Sequence, residues 1–130
     1  MIYSLLVLSS PFSGHSSRRA AQFAHCVTAR GHTIHRVFFL DAGTLASAAN
    51  SVSAQDEESP VTGWAELADQ HGIELAICIT SALKHGMLDQ VEADRHERAS
   101  PTIDAAFTVS GLGQLVDAYA SSDRLITFGG

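Results

Sequence analysis

Apolar and polar positions fall in blocks along this chain, and the period changes from block to block. Ile2-Tyr-Ser-Leu-Leu-Val-Leu-Ser9 is a near-continuous apolar run, the pattern of a strand covered on both faces. Ser10 to Ser17 is turn chemistry, with Ser16 or Ser17 placed to cap a helix. That helix carries Ala20, Phe23, Ala24 and Val27 on one face and ends at Arg30-Gly31. Thr33 to Leu40 reads as a second strand; His32 and His35 fall on its opposite faces, as solvated edge residues, and make no metal pair. Asp41 to Val61 has no clear period. A structureless loop of that length is unusual in a compact domain, so a short helix near Thr44 to Ala49 is expected. Thr62 then caps a helix with Trp64, Leu67 and Ala68 inward, closed by His71-Gly72.

The chain is organised around Gly72 to Gly86. It reads as a buried strand, Ile73 to Ile79, running into a short helix, Thr80 to His85, that stops at Gly86. Asp89-Gln-Val-Glu92 has the form of a capping box and opens a polar helix to about Arg98. Its apolar face is thin, which puts it on the surface or against a partner; Ser100-Pro101 breaks it. Phe107 to Val109 is a short strand, Ser110 a cap, and Leu112, Leu115, Val116 and Tyr119 a clear helical stripe. Arg124 to Phe128 is the last strand. The order β-α-β-(loop)-α-β-α-α-β-α-β demands a mostly parallel sheet with helices on both faces. The expected fold is therefore α/β, a three-layer α/β/α sandwich on a five-stranded sheet, with residues 1–130 as a single domain.

Composition narrows the function. With 130 residues and 45% apolar content the chain can bury a core without disulfides or metals. The formal net charge is −6 and the 8 Lys plus Arg are scattered, so no basic stripe exists to hold phosphates; a protein or small-molecule partner is favoured over direct nucleic-acid binding. The apolar start, Met1 to Leu8, is too short for a membrane span and lacks the basic lead of a signal peptide. Two cysteines and no export signal point to the reducing cytoplasm. Cys26 and Cys78 have neither C-x-x-C nor zinc spacing, so no redox dithiol and no metal site is expected.

Candidate chemistry centres on Cys78. It stands at the carboxyl end of a strand, where ligands and reactive groups collect in open α/β sheets. The following helix turns its positive dipole end toward that seam, which favours a thiolate, the nucleophilic form, and Lys84 and His85 supply positive charge on the same segment. Cys26, near the edge of its helix stripe, reads as a packed structural thiol. The Ser-rich loop before the first helix has one glycine, Gly14, and no dinucleotide or Walker pattern, so it is a capped turn rather than a phosphate cradle. A G-x-S-x-G elbow is absent, which removes a serine hydrolase from consideration.

These motifs carry a resemblance. Gly31-His32 with Arg36-Val-Phe-Phe39, Trp64 with Leu67 and His71-Gly72, Ile77-Cys-Ile79 with Ala82-Leu83 and Gly86, and Ser110-Gly-Leu-Gly113 before Asp123-Arg-Leu125 together resemble the TusD/DsrE family of sulfur-relay proteins, nearly end to end. The resemblance implies a persulfide carrier whose reactive cysteine falls on Cys78, supported by Thr80, Ser81, Lys84 and His85. It implies sulfur taken from a TusA-type donor and passed to a TusE/DsrC-type acceptor, most often toward 2-thiolation of the tRNA wobble uridine. It also implies assembly with TusB-like and TusC-like subunits into a hexamer, with no metal or organic cofactor. Two alternatives follow from the same family: a DsrE-type subunit of dissimilatory sulfur oxidation, and a non-catalytic assembly subunit. The sequence departs from the family pattern at Leu40, where an aromatic residue is common, and at His85, where a second permanent positive charge is common.

Overall fold

The apolar runs become parallel strands. The computed structural model describes residues 1–130. Strands β1 (Ile2–Val7), β2 (Thr33–Phe39), β3 (Glu74–Cys78), β4 (Phe107–Ser110) and β5 (Arg124–Phe128) form one sheet in the order β4-β3-β2-β1-β5. Every neighbouring pair is parallel. Helices α1 (Ser16–Ala29), α2 (Pro60–His71), α3 (Ile79–Lys84), α4 (Gln90–Arg95) and α5 (Gly113–Ala120) connect them, with a 3-10 helix at Asp41–Ser47.

Helix ends follow local chemistry, not always as expected. His15, not a serine, occupies the N-cap of α1; the Ser16 hydroxyl instead donates to the carbonyls of Gly129 and Gly130, at 3.1 and 3.2 Å, and Ser17 is buried. Pro60 opens α2 behind Ser59, so Thr62 lies inside the helix rather than capping it; the fixed φ of proline suits a first turn. Gly72 ends α2 at φ 64°, a left-handed angle that glycine adopts freely. The Asp89 cap forms as expected, with its Oδ1 accepting from the Glu92 N–H at 2.9 Å. The helix it opens ends at Arg95 and buries Ala93 and Glu92, so it is less of a free surface than its composition suggests. The 3-10 helix starts three residues before the expected Thr44, because Gly43 must lie against β1: a Cβ there would overlap the carbonyl oxygen of Val7.

The two sheet faces are covered unequally. On one, Leu5, Val7, Val37, Phe39, Leu75 and Ile77 meet Ala20, Ala24 and Val27 of α1 and Val61, Trp64 and Leu67 of α2 in a single cluster. Phe39 packs edge-on against Trp64 and Phe107, with ring centroids 5.3 and 5.5 Å apart. On the other face Phe38, Ala76 and Cys78 form a small cluster with Leu6, Leu40 and Leu115.

Helix α5 covers that second face in an unexpected orientation. Leu112, Val116 and Tyr119 point outward, 57%, 67% and 70% exposed, while Ala118 is fully buried. The cause is electrostatic. Arg36 of β2, 6% exposed, donates to Asp117 Oδ2 at 2.6 Å and to the Gln114 carbonyl at 2.9 Å, and these bonds fix which side of α5 faces the sheet. A bulge assists. Tyr3 pairs with Ile34 but Ser4 pairs with Arg36, so His35 is an extra residue and both it and Arg36 reach Asp117. His32 and His35 do lie on opposite faces, His32 against the Tyr3 ring, but β2 is the central strand and neither is an edge residue.

Candidate functional site

Cys78 is the last residue of β3 and the N-cap residue of α3, at the strand-to-helix seam expected from the sequence. It is 4% exposed and belongs to a small apolar cluster with Phe38 and Ala76, against which Leu6, Leu40 and Leu115 pack.

The residues following it have separate tasks. Thr80 is exposed at the start of α3. Ser81 is buried, and its hydroxyl accepts from the Asp41 N–H at 2.9 Å. That bond holds the turn after β2, where Asp41 takes the left-handed φ of 52°, and so ties the ends of β2 and β3 together. Lys84 is exposed at the last position of α3, and His85 caps it, with Nδ1 2.9 Å from the Ser81 carbonyl. A helix rises about 1.5 Å per residue, so these two residues stand on the order of 9 Å along the axis from the seam. The structure therefore brings Thr80 and Ser81 to the cysteine and leaves Lys84 and His85 at the opposite end of α3.

A residue that sequence reasoning passed over lies beside the thiol. Ser110, read as a helix cap, is the last residue of β4, and Leu112 takes the N-cap position of α5. Cys78 and Ser110 are register partners across the β3–β4 pair. The Ser110 Oγ is shielded from solvent and has no hydrogen-bond partner.

Cys26 is exposed, contrary to the expectation of a packed thiol. Its position on α1 falls outside the stripe that buries Ala20, Ala24 and Val27. It lines a groove of about 970 Å³ between α1 and α2, together with His25, Glu66 and the 56–59 segment. A smaller cavity of about 240 Å³ lies beneath Leu83 and His96. Neither cavity includes Cys78 in its lining.

The sequence profile of the DsrE/DsrF-like family matches residues 1–128. This chain belongs to that family. A protein named sulfurtransferase TusD homologue in Pseudomonas aeruginosa is 40% identical over 125 residues, which is 96% of this chain and 95% of the relative. A DsrE-named protein of Allochromatium vinosum is 37% identical over 129 residues, covering 99% of each chain. Among solved structures, the ychN protein of E. coli superposes with a TM-score of 0.78 over 98% of this chain and 99% of its own, at 15% identity, and so confirms the fold of this DsrE/DsrF-like chain. No helix of the chain is long and apolar enough to cross a membrane.

Proposed function

We propose that this sulfurtransferase carries its sulfur as a persulfide on Cys78. The observation that carries the reading is the placement of Cys78 at the carboxyl end of a parallel strand and the head of a helix, in a DsrE/DsrF-like chain. The Cys78 thiolate attacks the outer sulfur of a donor persulfide. A new S–S bond forms on Cys78, the donor's S–S bond breaks, and its electron pair leaves on the donor thiolate, with no net oxidation. A second thiolate then removes the sulfur from Cys78 by the same exchange. One cysteine suffices for both steps, and no metal or organic cofactor takes part.

The apolar enclosure of Cys78 suits a carrier. It keeps water and stray thiols from the bound sulfur, and it requires the true donor and acceptor to displace or dock beside α5, whose Leu115 packs against the cluster that holds Cys78. The N–H groups of Thr80 and Ser81 are proposed to face the sulfur anion. Lys84 and His85, at the far end of α3, are proposed as docking charges.

The whole of residues 1–130 acts as one domain in this scheme, in the cytoplasm, within a hexamer with TusB-like and TusC-like subunits. A TusA-like protein is the proposed donor and a TusE/DsrC-like protein the acceptor, and the end product is 2-thiouridine at the tRNA wobble position. The similarity to a DsrE-named relative keeps dissimilatory sulfur oxidation as a second destination for the same chemistry.

Intact-protein mass spectrometry after incubation with a cysteine desulfurase, cysteine, a TusA-like carrier and the sister subunits tests the reading. The expected result is one added sulfur atom, abolished by Cys78→Ser and unaffected by Cys26→Ser. If Cys78 stays unmodified with all partners present, the chain is a non-catalytic assembly subunit.

A further inference from the structure

We propose that Ser110 is the hydroxyl donor that holds the sulfur carried on Cys78. The inference rests on the persulfide reading above and extends it to a residue outside the Cys78 segment.

Three observations converge. First, Cys78 and Ser110 are register partners at the carboxyl ends of two hydrogen-bonded parallel strands. Parallel strands run about 4.8 Å apart and paired residues project to the same face, so the two side chains are neighbours on the face that carries Phe38 and Ala76. Second, the Ser110 Oγ is closed off from solvent and bonds to nothing. A buried hydroxyl without a partner loses its water bonds without replacement, at a cost of about 1–3 kcal/mol, and native structures rarely tolerate it. Third, Cys78 lies in a small apolar cluster with Phe38 and Ala76, against which Leu6, Leu40 and Leu115 pack. Ser110 is the polar side chain that register places beside the thiol.

The resting thiol does not satisfy this hydroxyl, since no bond between Ser110 Oγ and Cys78 Sγ forms. A persulfide lengthens Cys78 by one S–S bond, about 2.05 Å, and puts a charged acceptor where the thiol has none. The hydroxyl would then gain its partner only in the loaded protein. It donates its proton to the terminal sulfur and stays a hydroxyl throughout. When an acceptor thiolate attacks that sulfur, the old S–S bond breaks, its electron pair returns to Cys78 Sγ, and the hydrogen bond is released with the departing sulfur.

The distinguishing consequence is that Ser110 contributes to the loaded state and not to the empty one. In a Cys26→Ser background, which removes the exposed thiol, the otherwise wild-type chain, Ser110→Ala, Ser110→Thr and Cys78→Ser are loaded with a small-molecule persulfide, and loss of the added sulfur is followed by intact-protein mass spectrometry. Loss of a hydrogen bond to a charged acceptor predicts that Ser110→Ala sheds its sulfur about tenfold faster than wild type. Ser110→Thr, which keeps the hydroxyl, restores the slower loss. The unloaded Ser110→Ala protein melts no lower than wild type, because it loses only an unpaired buried hydroxyl. Sulfur retained by Ser110→Ala within about twofold of wild type overturns the inference and leaves the persulfide reading standing. A lowered melting temperature in Ser110→Ala, with no rescue of sulfur retention by Ser110→Thr, also overturns it. Absence of sulfur on wild-type Cys78 overturns both.

Discussion

Arg36 Nη1 donates to Asp117 Oδ2 at 2.6 Å, and this bond fastens α5 to the centre of the sheet. The same guanidinium donates from Nε and Nη2 to Glu74 Oε2, at 2.9 and 2.7 Å, so one buried cation links β2, β3 and α5. Burial opposes the charge on Arg36, but its hydrogen bonds to Glu74 and Asp117 outweigh that cost and raise its pKa above the ordinary value. Because Leu115 of α5 packs against the apolar cluster that contains Cys78, the ion pair also bears on how well the cysteine is covered. Arg36→Met should lower stability by about 2 kcal/mol, the range for losing charge-assisted bonds at a buried site. It should also speed alkylation of Cys78 by about threefold or more, through easier opening of α5. Urea denaturation and timed iodoacetamide labelling check the two effects. A stability loss with unchanged labelling would mean that α5 does not gate the thiol.

Acid should loosen the same helix. Hydrogen bonds from His35 first, then Arg36 and Ser121, hold the Asp117 carboxyl at a pKa of about 2, below its ordinary 3.8. A depressed folded value means that the unfolded chain binds the proton more readily. The stabilisation is therefore complete above the ordinary value and disappears as pH falls through the folded one. Wild type should lose stability as pH drops from about 4 to about 2, and Asp117→Asn should lose less over that interval while being weaker at neutral pH. Urea midpoints measured across the range decide it; parallel acid limbs in the two proteins would assign the loss to other carboxylates.

The two thiols should separate sharply in reactivity toward a bulky reagent. Cys26 is exposed on α1, and Cys78 is 4% exposed beneath α5. A thiol that reacts only from an opened state is slowed by the free energy of opening. A polyethylene glycol maleimide should therefore label Cys26 at least about tenfold faster than Cys78 in the isolated chain. Peptide mapping after a short pulse reads this directly. Equal labelling would show that the seam opens freely without a partner.

The sheet was legible because each strand is a short, largely apolar segment bounded by turn or helix signals, with ends misplaced by no more than two residues. The apolar stripe of α5 was legible, and Leu115 of it packs toward the sheet, but the exposure of its other residues was not, because the stripe competes with a charge that period alone cannot weigh. Leu112, Val116 and Tyr119 make the better hydrophobic face, yet Arg36 holds Asp117 and Gln114 against the sheet, and one buried guanidinium decides the rotation. Cys78 was legible because a strand-to-helix seam is a local feature of consecutive residues. Ser110 was not, because its significance depends on β4 pairing in register with β3 and on a hydroxyl left without a partner. Neither property is local. The bulge at His35 is of the same kind: an extra residue in a strand shifts the face of everything before it without changing composition.

The basic residues after Cys78 provide a final test of how charge reaches the site. From sequence, Lys84 and His85 stand near enough to the thiol to tune it, with His85 making the effect depend on pH. In the structure His85 caps α3 through its bond to the Ser81 carbonyl, with Lys84 before it, and the whole six-residue helix separates them from Cys78. Exposed charges at that separation interact weakly through water, and salt weakens them further. His85→Ala should therefore leave the alkylation rate of Cys78 within about twofold of wild type at each pH from 6 to 8, while lowering stability slightly through the lost helix cap. A divergence of the two rate profiles across that range would restore His85 to the site. If the profiles coincide, the electrostatic support for sulfur on Cys78 must come from groups at the seam itself: the first N–H groups of α3 and the hydroxyl of Ser110.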